Sequence, residues 1–146
     1  MPKDEFTLSQ GHIYGTIPML YKQWSVSFDL NPHGTISGWS SVFRMGQGAR
    51  YSGRGNSMPS IWFWPNTNRL HICVERNNST HFFYNPNFTF SRNRWTTVKI
   101  THLRKNADSE MCEYQIKIGD WVACTFDCGP DLREYKDINV SGVKKL

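Results

Sequence analysis

The densest acidic run in the sequence is Asp108-Ser109-Glu110-Met111-Cys112-Glu113, whose spacing suits a general acid and a nucleophile on one strand. Its phase argues the other way. It follows the polar turn Lys105-Asn106-Ala107, and Glu113 falls on the face opposite Cys112 and Tyr114. We expect a solvated acidic turn. His12, His33, His71, His81 and His102 are scattered, and no local Ser-His-Asp or Cys-His signature accompanies them. H-E-x-x-H, paired C-x-x-C and phosphate-binding loops are missing. Cys124-Thr125-Phe126-Asp127-Cys128 is C-x-x-x-C without a partner pair, which argues against zinc. The expected chain is not an enzyme.

What remains is chemistry that binds. The net charge is +5, so anionic partners are favoured at long range. Arg44, Arg50 and Arg54 bracket a glycine-rich stretch at 46–55 that also holds Tyr51. Guanidinium forks beside an aromatic ring suit a sulfated or carboxylated glycan. Trp62 and Trp64 alternate with Ile61 and Phe63, so both faces of their strand are apolar. One tryptophan is expected in the core and the other on a platform where the C–H face of a sugar stacks. Asn66, Asn68, Arg69 and His71 follow closely and can hydrogen-bond hydroxyls. Arg92 and Arg94 make a second, weaker basic spot before Trp95. Lysines and arginines are not gathered on one element and no RNA-binding signature appears, which argues against nucleic acid.

These residues need a scaffold, and the pattern around them is that of strands. With 146 residues the chain fits one domain spanning 1–146. Aromatic residues make up 14% and alanine is almost absent, which disfavours an all-α fold. Apolar and polar residues alternate in 24–30, and further strands are expected at 39–45, 61–64, 70–75, 81–84, 95–102, 112–118, 122–128 and 135–140. Turn signals such as Asn31-Pro32-His33-Gly34 separate them. Strands at this spacing without helical segments predict an antiparallel sandwich or jelly roll. Trp24, Trp39 and Trp95 are in phase with apolar neighbours and are expected in the core.

One hairpin can be taken to the level of register. A three-residue turn at Gly119-Asp120-Trp121 pairs Ile118 with Val122, Ile116 with Cys124, Tyr114 with Phe126 and Cys112 with Cys128, leaving every apolar residue on one face. That register sets Cys112 opposite Cys128, close to disulfide range. The alternative is two reduced core thiols. Cys73 and Cys124 are the remaining pair, and four cysteines permit three connectivities.

Asn77, Asn78, Asn87 and Asn139 each begin an N-x-S/T glycosylation signal. The opening Met1-Pro2-Lys3-Asp4-Glu5 carries no apolar stretch, and no apolar run approaches the roughly 20 residues that span a bilayer. The expectation is a mature segment of a secreted protein, without a membrane span.

The segments 20–30, 38–42, 59–63, 70–72 and 93–96, taken in order, resemble the concanavalin-like lectin/glucanase superfamily. Within it the sequence is most similar to laminin-G-like domains of secreted animal proteins, including invertebrate extracellular ones. The resemblance runs over 15–140. It implies an all-β jelly-roll sandwich of two antiparallel sheets that binds glycan or glycoprotein at a rim or on one sheet. Glucanases share that fold, but their E-x-D-x-x-E order is not met by Asp108, Glu110 and Glu113. The resemblance implies no obligatory cofactor. Calcium often sits at the rim of such domains, yet no D-x-D-x-D loop names ligands for it here. A carbohydrate-binding module is therefore the leading expectation. An adhesion or extracellular-matrix domain that binds protein or mineral is the alternative, and an unusual glycoside hydrolase is the third.

Overall fold

A computed structural model describes residues 13–21, 23–47, 58–76, 79–108, 111–130 and 135–141. Ten strands run along them: β1 (Ile13–Leu20), β2 (Trp24–Leu30), β3 (Ser40–Gly46), β4 (Ser60–Phe63), β5 (Leu70–Arg76), β6 (Ser79–Tyr84), β7 (Thr96–Arg104), β8 (Met111–Ile118), β9 (Trp121–Pro130) and β10 (Tyr135–Ser141). They form a six-stranded sheet in the order β1-β10-β3-β4-β5-β6 and a four-stranded sheet in the order β2-β7-β8-β9, with every pair antiparallel. The expected all-β sandwich of two antiparallel sheets is what forms. Among the described residues no helix is long and apolar enough to cross a membrane.

Period-two alternation explains the layering. In β2, Val26 and Leu30 are buried while Ser25, Ser27 and Asp29 are exposed. The same phase turns Val98 and Ile100 of β7, Tyr114, Ile116 and Ile118 of β8, Ile61 of β4 and Leu70, Ile72 and Val74 of β5 into one shared core. Each such side chain contributes about 1.5–3 kcal/mol by leaving water. Two tyrosines then tie sheet to sheet. The Tyr114 hydroxyl donates to the Glu75 carbonyl at 2.9 Å, and the Tyr84 hydroxyl donates to the Ala123 carbonyl at 2.8 Å.

The structure departs from the sequence reading at four places. β1 has no counterpart among the expected strands, because Gly15 and Pro18 interrupt its pattern. It is an edge strand, where proline is tolerated, and its ladder to β10 shifts register between Ile13 and Gly15. The β8–β9 turn is also tighter than expected. Ile118 pairs with Trp121 and Lys117 with Val122. An extra residue, Ala123, then restores the expected pairs Ile116–Cys124 and Tyr114–Phe126.

A second bulge makes Cys128 the extra residue, so Cys112 pairs with Gly129 rather than Cys128. The Cys112–Cys128 disulfide is corrected accordingly: both cysteines are buried thiols, as is Cys73, and Cys124 is a half-buried thiol. Finally, two tryptophans expected in the core lie outside it: Trp95 is half exposed just before β7, and Trp39 packs on Trp64 and His71 rather than on the core.

Candidate functional site

The outer face of the six-stranded sheet carries aromatic residues where such a surface usually carries polar ones. Ile61 and Phe63 of β4 face the core, so Ser60 and Trp62 face outward. The pairings Ser41–Trp62 and Trp62–His71 set one row across β3, β4 and β5. A second row runs Arg44–Ser60–Cys73–Phe83 across β3 to β6. Trp39, just before β3, and Trp64, just after β4, close the first row at the end of the strands.

Four rings meet there. The Trp39 and Trp64 centroids are 4.4 Å apart, and His71 lies 5.1 Å from Trp39 and 5.2 Å from Trp64. His71 in turn stacks on Phe83 at 4.7 Å with an interplanar angle of 24°. Trp64 is 37% exposed and Phe83 is 50% exposed, so the cluster presents rings to solvent.

Asn85, immediately after β6, organises its polar side. Its Oδ1 accepts from Trp64 Nε1 at 3.0 Å and lies 2.6 Å from His71 Nδ1. Indole N–H only donates, so the amide oxygen must face it, and His71 Nδ1 must then be the protonated nitrogen. That tautomer leaves His71 Nε2 as an acceptor for a ligand hydroxyl. Beyond it the exposed Arg69 donates from Nη2 to Asn87 Oδ1 at 3.3 Å.

The β4–β5 turn holds these groups in place. Asn66 adopts φ 58°, a left-handed conformation that asparagine tolerates, and its N–H donates to the Ile36 carbonyl at 2.7 Å. The Thr67 hydroxyl donates to the Trp64 carbonyl at 3.0 Å and accepts from the Arg69 N–H at 3.2 Å.

Of the residues singled out from sequence, Trp64 and His71 meet here, and the exposed Asn66 and Arg69 lie on the turn between them. Three others do not offer themselves to a ligand. Trp62 is buried, with its Nε1 donating to Ser60 Oγ at 2.9 Å. Asn68 is buried where the Phe90 N–H donates to its carbonyl. Arg44 is a buried, partnered residue of β3 rather than an open loop arginine, since β3 runs through it to Gly46. Arg50, Tyr51 and Arg54 lie outside the described residues, as do Asn77 and Asn78.

Of the remaining glycosylation signals, Asn87 is exposed, whereas Asn139 is half-buried in β10 and accepts from the Thr16 hydroxyl at 3.2 Å. Sequence reasoning missed Trp39, Phe83 and Asn85. Phe83 alternates with Phe82 and Tyr84 in an all-aromatic run, so phase alone could not say which ring faces out. The described carboxylates of the acidic run do not reach this face: Asp108 lies in an exposed turn after β7, and Glu113 lies on the outer face of the four-stranded sheet, while Glu110 lies outside the described residues.

No protein-family model matches the chain, and the search of curated proteins gave no match. Among solved structures, a native heptameric SAP-like pentraxin from Limulus polyphemus superposes with a TM-score of 0.56 at 10% sequence identity. The fold is a concanavalin-type jelly roll. The superposition covers 92% of this chain and 59% of the pentraxin chain, so this chain spans well under two thirds of that protein. A likeness of this degree establishes the fold and does not single out the laminin-G-like branch.

Proposed function

We propose that this chain is a secreted, non-catalytic lectin-like module, of laminin-G-like character, that binds carbohydrate on the outer face of its six-stranded sheet. The observation that carries the reading is the exposed Trp64–His71–Phe83 surface with hydrogen-bonding groups at its margin. Exposed rings offer C–H stacking, and His71 Nε2, Asn66 and Arg69 offer the directional contacts that hydroxyls require. Arg69 adds a charge for a carboxylated or sulfated sugar, in keeping with the net charge of +5. The superfamily fold adds support, because lectins are built on it.

The test is a glycan array at low and physiological salt, with and without calcium, followed by titration of the hits. Wild-type chain should bind a defined set of glycans. Trp64→Ala should weaken the hits at least about tenfold, the loss of roughly 1.4 kcal/mol of stacking. Thr125→Ala, on the other sheet, should change nothing. Arrays blank under all conditions, or hits indifferent to Trp64→Ala, would sink the proposal and leave the adhesion or matrix reading in its place.

A further inference from the structure

Across the sandwich from the aromatic face, three chemically reactive side chains converge inside the core. His102 of β7, Cys112 of β8 and Cys128 of β9 are 1%, 1% and 2% exposed. One donor atom from each lies within 4.8 Å of the other two, and His102 Nε2 is 3.1 Å from Cys128 Sγ.

Three features bring them there. The β7–β8 register sets His102 opposite Tyr114 and Arg104 opposite Cys112, which makes His102 and Cys112 diagonal neighbours on the inner face. The β8–β9 bulge inserts Cys128 between the pairs Glu113–Asp127 and Cys112–Gly129 and leaves it buried in the core. The imidazole is held by the rings of Trp24 and Tyr114, at 5.7 and 4.6 Å.

We propose that His102, Cys112 and Cys128 form a binding site for a soft d10 cation, Cu(I) or Zn(II), held by two thiolates and one imidazole nitrogen. Bond lengths of about 2.3 Å to sulfur and about 2.0–2.1 Å to nitrogen give tetrahedral donor–donor edges of about 3.6–3.8 Å. The observed cluster closes on such an ion with small side-chain movements. Thiolate and imidazole donors select soft ions over calcium or magnesium, which take oxygen ligands.

Charge points the same way. Two bare thiolates in a dry core are prohibitive, whereas a divalent ion cancels both and a monovalent ion cancels one. Binding of Zn(II) therefore breaks two S–H bonds, forms two metal–sulfur bonds and releases two protons to solvent. The three donors satisfy Cu(I) as they stand, whereas Zn(II) takes a fourth. The sequence hid this site because its three donors come from three strands, with His102 lying 26 residues before Cys128.

The experiment uses the full chain, reduced and stripped with a chelator. Co(II) serves as the spectroscopic probe, and chromophoric chelators compete for Zn(II) and Cu(I). One equivalent of Co(II) should produce an intense thiolate-to-cobalt charge-transfer band. The Cys73→Ser/Cys124→Ser double variant should keep it.

Cys112→Ser and Cys128→Ser should each lose affinity by more than the roughly 10–100-fold that an outer-shell partner is worth. Tighter competition for Cu(I) assigns copper, and tighter competition for Zn(II) assigns zinc. Should the serine variants fail to fold, the cobalt spectrum of the wild type and of the Cys73/Cys124 variant still decides. A missing charge-transfer band together with no competition for Cu(I), binding indifferent to both serine variants, or a Cys112–Cys128 disulfide in the protein as isolated would overturn the proposal.

Discussion

Asn85 shows how one amide sets the state of its neighbours. By accepting from Trp64 Nε1 and His71 Nδ1, its oxygen fixes both the indole and the imidazole tautomer. Asn85→Ala should weaken glycan binding without unfolding the chain, because the released donors lie at a wet surface. A stability change within about 1.5 kcal/mol by urea denaturation is expected. Asn85 itself was illegible in the sequence, since an asparagine before a proline reads as a turn. The Cys124–Tyr84 pair makes a second residue-scale prediction. Burial pushes the Cys124 thiol from 9.0 up to about 11, an effect that its hydrogen bond to Tyr84 partly offsets. Burial likewise raises Tyr84, and Cys124 adds to that rise through its charge and hydrogen bond. Both groups are thus favoured in their neutral forms by folding. Their contribution is whole below about pH 9 and is lost as the pH climbs through about 11. Urea midpoints measured from pH 7 to pH 11 should fall on the alkaline side, and Cys124→Ser should flatten that fall.

The β8–β9 hairpin separates what alternation fixes from what it leaves open. The pairs Ile116–Cys124 and Tyr114–Phe126 were legible because a slip of one residue would turn their side chains into water. The tip was not, because a two-residue turn followed by a bulge and a three-residue turn deliver the same register further down. The two-residue turn leaves its mark at Gly119, with φ 58° and nothing within 4 Å of where a Cβ would lie. Gly119→Ala should therefore cost only backbone strain, roughly 1–2 kcal/mol. Gly15→Ala, which has open space and no left-handed backbone, should stay within about 0.5 kcal/mol of wild type when both glycine variants are compared by thermal melts. The bulge at Cys128 was equally invisible, and with it went the expected disulfide.

At the scale of the molecule, the sandwich was legible and the location of its site was only half so. Alternation in β2, β7 and β8 determines which residues make the core. Ile100→Ala, in the middle of that core and fully buried, should cost about 2–5 kcal/mol by chemical denaturation. The aromatic face was harder to see because β4 carries Trp62 on the side opposite Ile61 and Phe63, so period-two reasoning finds no solvent side in that strand. Only sheet order shows that Trp39, His71 and Phe83 share one surface. The pairing of β1 with β10 carries a consequence for how the chain is made. Thr16 bonds to Asn139 across 123 residues, while β3 to β6 and β7 to β9 are meanders of neighbours in sequence. During synthesis the meanders can zip as they leave the ribosome, whereas β1, the earliest of the ten strands to emerge, waits for the last. A nascent chain stalled before residue 135 would carry β1 without its partner and β3 as a bare edge, and chaperones would meet the protein in that form.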